Sequence, residues 1–119
     1  MKQKLVIPGE FPGMNEIIAA AKSHPVAYAG LKKDNTEAVA WTAKKIPERK
    51  RVVLDIPWYC KNRRRDPDNI AAAVKSIWDG LVEGGVIEND GWGQNAGWAN
   101  HFKVDKENPR VEIELEEIA

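Results

Sequence analysis

The chain has 119 residues, a length for one domain rather than two, and 43% hydrophobic against 30% charged residues leaves enough apolar material for a core. No apolar run reaches the roughly 18 residues of a membrane span, and the apolar part of MKQKLVIPGEFPG is too short for a secretory signal, so a cytoplasmic location is expected. Cys60 stands alone, which excludes an intramolecular disulfide framework or a multi-thiolate zinc site, and 18 Lys+Arg balanced by 18 Asp+Glu argues at face value against a nucleic-acid partner.

In chain order, Lys4-Leu5-Val6-Ile7 reads as a first strand closed by Pro8 and Gly9. Turn residues at Phe11–Asn15 lead into a short helix over Glu16–Lys22, broken at His24-Pro25 because a residue before proline is pushed out of the α region. A helix with ragged ends follows from about Tyr28 to Lys45. The β-branched run Arg51–Ile56, ahead of Pro57, is the clearest strand. Ile70, Val74, Ile77 and Leu81 then fall on one helical stripe, which predicts a helix over Pro67–Glu83, ended by Gly84-Gly85. Two late strands are expected, at Ala99–Val104 and at Arg110–Ile118, where Val111, Ile113 and Leu115 alternate with Glu112, Glu114 and Glu116. Asp105–Pro109 between them has the composition of a hairpin turn. The expected architecture is α/β of the α+β type, a single compact domain over residues 1–119 with a mixed sheet packed against a few helices.

The neutral total conceals opposed blocks. Residues 44–65 hold nine basic and two acidic side chains, whereas residues 66–104 hold six acids against Lys75 and Lys103. The boundary falls at Arg65-Asp66, and asymmetry of this kind points to a polyanion better than the total does.

Asp66, Asp68 and Asp90 lie at the head of the best helix and in the turn after it. Three carboxylates at two such places suit phosphodiester hydrolysis with Mg²⁺, a hard cation that takes oxygen ligands and keeps several waters. Neighbouring basic side chains suit the adjacent phosphates. Each piece also has a plainer reading. Asp66 before Pro67 is an expected N-cap, Asp68 favours the helix dipole, and Asp90 is a turn residue. Asp68, Lys75 and Asp79 share the face opposite the apolar stripe, which is either a solvated side with a Lys75–Asp79 pair or the wall of a cleft.

The combination of Arg63-Arg64-Arg65-Asp66-Pro67-Asp68-Asn69, a helix with Lys75 and Asp79-Gly80-Leu81, and Gly85-Val86-Ile87-Glu88-Asn89-Asp90 resembles the RusA family of Holliday junction resolvases. Pro12 and Asn15 resemble that family's early P-x-x-N element. The resemblance implies that Asp66, Asp68 and Asp90 are the catalytic carboxylates holding Mg²⁺, with Mn²⁺ a possible substitute, and that Lys75 is the catalytic lysine. It also implies a homodimer that nicks two strands of a four-way DNA junction symmetrically, in recombination and repair, with no membrane partner. Lys61, Arg63, Arg64 and Arg65 would bind the DNA backbone. One departure concerns spacing: the family pattern sets its lysine four residues after the second aspartate, where this chain has Ala72, and Lys75 comes three residues later.

Two other classes stay open. One is a branched-DNA-binding protein whose acids are caps and surface charges, and another keeps the metal but acts on other branched DNA or on nucleotides, although the chain has no P-loop. The five tryptophans are assigned first to core or interface packing, with Trp92 and Trp98 beside Asp90 the two to test on DNA. His24 and His101 lack metal-ligand spacing, and Cys60 reads as a strand-end packing residue.

Overall fold

A computed structural model of the chain describes residues 2–12, 19, 22 and 25–118. The expected helix at Glu16–Lys22, apart from Ala19 and Lys22, and the Asn15 of the early element lie outside them.

The described elements are β1 (Lys2–Pro8), α1 (Pro25–Ala43), β2 (Val52–Cys60), α2 (Pro67–Ala71), α3 (Val74–Glu83), β3 (Asn95–Val104) and β4 (Arg110–Glu117). The four strands make one mixed sheet in the order β1-β4-β2-β3, antiparallel except for the β2–β3 pair. This is an α+β domain. No described helix is long and apolar enough to cross a membrane.

Strand alternation decides which face is covered. Leu5 and Ile7, then Val52, Leu54, Ile56 and Trp58, then Val111, Ile113 and Leu115 are all buried, and with Val39, Ile70, Ile77 and Leu81 from the helices they form one core. The intervening Lys4, Asp55 and Glu114 belong to the opposite face. The helical stripe read from the sequence is therefore the inner face of α2 and α3.

Three expectations change. The hairpin at Asp105–Pro109 is not one: β3 pairs with β2, β4 pairs with β2 on its other side, and the connection crosses the end of β2, where Asp105 N–H donates to the Cys60 carbonyl at 2.8 Å. The strand expected to end at Ile56 runs on through Pro57 to Cys60. Its ladder to β4 pairs Val52 through Asp55, skips Ile56 and Pro57, and resumes at Trp58 in the same register. Proline has no N–H to give that ladder, and on the β3 side the pairing continues with Pro57 opposite His101.

The single helix expected over Pro67–Glu83 is two, joined by a tight turn at Ala72-Ala73. There Ala73 N–H bonds the Ile70 carbonyl at 3.3 Å and Ser76 N–H bonds that of Ala73 at 3.0 Å, i→i+3 bonds that tighten the coil locally. The end of α3 is as expected. Gly85 takes φ +82°, its N–H bonds the Val82 carbonyl and that of Val86 bonds Leu81, the two bonds of a Schellman cap. Val86 and Leu81 are both fully buried, which turns the chain into the loop that carries Asp90.

α3 lies close on α1 because Gly80 has no side chain. A Cβ there would run into Val39 and come within 2.9 Å of the Thr36 carbonyl, and one at Gly84 would come within 2.9 Å of the Ala40 carbonyl. The Asp79-Gly80-Leu81 segment thus has a structural task of its own. It seats the helix that carries Lys75 and Asp79.

Candidate active site

Asp66 is the residue before α2, with extended backbone (φ −71°, ψ 150°) followed by Pro67 at the first helical position. This is the N-cap place that the sequence suggests, yet the carboxylate makes no capping hydrogen bond. Asp68, the second residue of α2, accepts the Asn69 N–H at 3.0 Å and, among the described residues, nothing else. Both side chains are exposed, and among the described residues no cation pairs with either. Two carboxylates left in this state, flanking one proline, are open to a ligand from solvent.

Lys75 stands at the start of α3 and draws two acids together. Its Nζ donates to Asp79 Oδ1 at 3.0 Å and to Asp90 Oδ2 at 3.0 Å. The first is an i,i+4 pair within the helix, and the second ties the helix to the loop after Ile87. These bonds hold the Lys75 ammonium above its ordinary value of 10.5, with Asp79 the stronger influence. The same bond holds the Asp90 carboxyl below the usual carboxylate range, against a smaller opposing effect of burial. Lys75 is therefore a cation throughout the neutral range and unsuited to act as a general base.

The structure thus brings Lys75 and Asp90 together, with Asp79 as a third member. It does not join Asp66 or Asp68 to them by any hydrogen bond or ion pair, and among the described residues no three His, Cys, Asp or Glu side chains are grouped to hold a metal. That arrangement still fits Mg²⁺, which is commonly bound through one or two carboxylates with water and substrate phosphate rather than by an all-protein cage. Asp66 and Asp68 supply hard oxygen donors, and Asp90 keeps Oδ1 outside its bond to Lys75.

The basic loop before α2 divides into free and tied members. Lys61, Arg63 and Arg64 are exposed. Arg65 is not free: Nη1 donates to the Phe11 carbonyl at 2.8 Å and Nη2 lies 3.6 Å from Glu10 Oε2, the same oxygen that accepts the Lys61 N–H at 2.9 Å. Glu10 fastens both ends of the loop to the segment after β1. Nothing local signals this role, because its partners lie 51 and 55 residues away and a lone Glu after Pro-Gly reads as a turn residue. The loop and that segment border an open cavity of about 500 Å³.

Residues 14–116 match the family model described as Endodeoxyribonuclease RusA. The chain belongs to the RusA family. No match is found among curated proteins. RusA-family proteins are endodeoxyribonucleases, hydrolases of DNA, and all of Asp66, Asp68, Lys75 and Asp90 lie inside the matched span. In this RusA-family chain Lys75 lies beyond the tight turn at Ala72-Ala73 and reaches Asp90 from there.

Proposed function

We propose that this chain is a Mg²⁺-dependent, structure-specific endonuclease that resolves four-way DNA junctions by paired phosphodiester hydrolysis, working as a homodimer. The observation that carries the reading is the bond from Lys75 to Asp90, which sets a cation on the third aspartate while, among the described residues, no cation pairs with Asp66 or Asp68. Membership of an endodeoxyribonuclease family supplies the substrate class.

Asp66 and Asp68 would hold the divalent ion from the head of α2, with Asp90 contributing its second oxygen. When bound, such an ion polarises a phosphate oxygen and lowers the pKa of a water. Lys75 offers its ammonium to the charge that builds on the phosphate as the bond to the leaving oxygen breaks, a role that needs a fixed positive charge and no proton transfer. Lys61, Arg63 and Arg64 hold the flanking phosphates, and Arg65 keeps their loop in place.

A cleavage assay on a synthetic four-way junction, with and without Mg²⁺, tests this. Paired nicks on opposite strands that require Mg²⁺, together with an Asp68→Asn protein that binds the junction but leaves it intact, are the expected result. Full cutting by Asp68→Asn would sink the assignment of the acids. The missing contact between the acids of α2 and the Lys75–Asp90 pair favours a second reading, a branched-DNA-binding protein without turnover, for which the wild-type protein binds junctions and cuts none.

A further inference from the structure

We propose that Trp92 and Trp98 form a stacking site for an unpaired nucleobase of branched DNA, immediately beside Asp90. This rests on the DNA-nuclease reading above and adds to it a binding subsite.

Trp92 is 98% exposed, two residues after Asp90. An indole is the largest apolar side chain, and one left wholly in water forgoes all the gain of burying it. Trp58 and Trp78 show the alternative in this same chain, since both are in the core. Trp98, at 45% exposure, is only half covered. Its other side rests edge-on against buried Trp78, with ring centroids 5.9 Å apart and planes at 64°, so that ring is held in position by the core.

Asp90, Trp92, Asn95 and Trp98 line one open cavity of about 460 Å³. The segment between the two tryptophans keeps its backbone accessible: a Cβ added at Gly93 or Gly97 would meet nothing within 4 Å. Asn95 Oδ1 accepts the Gly97 N–H at 2.9 Å, which orients the amide and leaves its NH₂ to donate elsewhere. Two indoles, a bare backbone and one amide donor match a planar ligand with π-faces and polar edges. A nucleobase is such a ligand, and stacking on aromatic side chains recognises any base. In a fully paired duplex the base faces are covered by their neighbours, so the site selects DNA with bases released at a branch point.

The test uses junction and fork DNA carrying 2-aminopurine at the branch, and a fully paired duplex as control, with proteins in the non-cleaving Asp68→Asn background. Binding is expected to change 2-aminopurine fluorescence. Adding Trp92→Ala should abolish that change and weaken junction and fork binding about tenfold, or roughly 1.4 kcal/mol. Trp92→Phe should keep most of both, and duplex affinity should be the same for all three. Because Trp92 touches no core, the alanine variant should melt like its parent. An unchanged fluorescence response in Trp92→Ala, or an equal loss on paired duplex, overturns the proposal. So does a shift in sedimentation mass with DNA binding intact, which would assign the exposed indole to contact between copies. If the wild-type protein cuts no junction while the fluorescence change still depends on Trp92, the stacking site stands and the endonuclease reading falls.

Discussion

Lys75 and Asp90 are 15 residues apart in the chain and meet at 3.0 Å, so the ammonium occupies Oδ2 of that carboxylate and leaves Oδ1 outside the bond. On the proposed function, Mg²⁺ and Lys75 would compete for Asp90 while acting on the same phosphate. Lys75→Met is therefore expected to impair cutting while tightening Mg²⁺ binding. Single-turnover cutting should fall by at least about 100-fold, as on loss of one preorganised charge at a transition state. The Mg²⁺ concentration that half-saturates the protein, read by thermal shift without DNA, should fall as well, because Asp90 no longer has its internal counter-charge. An unchanged Mg²⁺ midpoint would mean that Asp90 does not hold the ion.

Arg64 and Arg65 are neighbours in one basic run, yet their partners predict different roles. Arg64 is exposed, and among the described residues only its backbone N–H is engaged, by Asn62 Oδ1 at 3.0 Å. Arg64→Ala should leave the urea midpoint alone and reduce the slope of log affinity against log salt by about 1. Arg65 is bonded to the Phe11 carbonyl and paired with Glu10. Arg65→Ala should cost about 1–2 kcal/mol of stability in urea unfolding, because it leaves a carbonyl and a carboxylate without their donor. Equal stability losses in the two variants would refute this division.

What the sequence made legible was local. The stripe of Ile70, Val74, Ile77 and Leu81 and the alternation of Val111, Ile113 and Leu115 report directly which side of each element is covered: all are buried except Val74, which is half-buried against the same core. The glycine stop after Glu83 likewise depends only on adjacent backbone. Pairing partners are not local. Turn residues at Asp105–Pro109 say that the chain changes direction, but not that β2 lies between the strands on either side. The basic block of residues 44–65 is likewise continuous only in sequence: β2 runs through it, placing Lys44–Arg51 and Lys61–Arg65 at opposite ends of a nine-residue strand, roughly 30 Å long. At the site, sequence alone offered the Lys75–Asp79 pair through helical spacing, whereas the bond to Asp90 needed the Schellman turn and the loop beyond it.

Gly80 tests whether the seat of α3 is as tight as its geometry states. A side chain at this position meets Val39 and the Thr36 carbonyl, and neither backbone nor a fully buried valine can give way cheaply. Gly80→Val should destabilise the protein by about 1–3 kcal/mol through overpacking, outweighing the better helix propensity of valine. Val39→Ala combined with it should recover only the share of that loss due to the Val39 Cγ1 contact, because alanine keeps the Cβ that the new side chain meets first. The check is a double-mutant cycle in urea, and additive effects would place the two residues out of contact.

Glu112 should set part of the acid limit of the fold. It is only 5% exposed, on the face of β4 away from the helices, where it accepts Arg110 Nε at 2.7 Å and pairs with Lys4 Nζ at 2.8 Å. Burial pushes its carboxyl up, but the bonds from Lys4 and Arg110 outweigh it, and the net shift is below the ordinary glutamate value of 4.5. A carboxyl that titrates lower when folded contributes stability that is fully present above its unfolded pKa and is lost as pH falls through its folded one. Glu112→Gln should therefore cost about 1–3 kcal/mol at neutral pH, since two cationic donors lose their charged acceptor. It should cost much less at a pH well below 4.5, where the wild-type carboxyl is itself protonated. Urea midpoints of both proteins from about pH 7 down to about pH 3 give the comparison, and curves that stay parallel across that range would mean that Glu112 holds its partners without help from its charge.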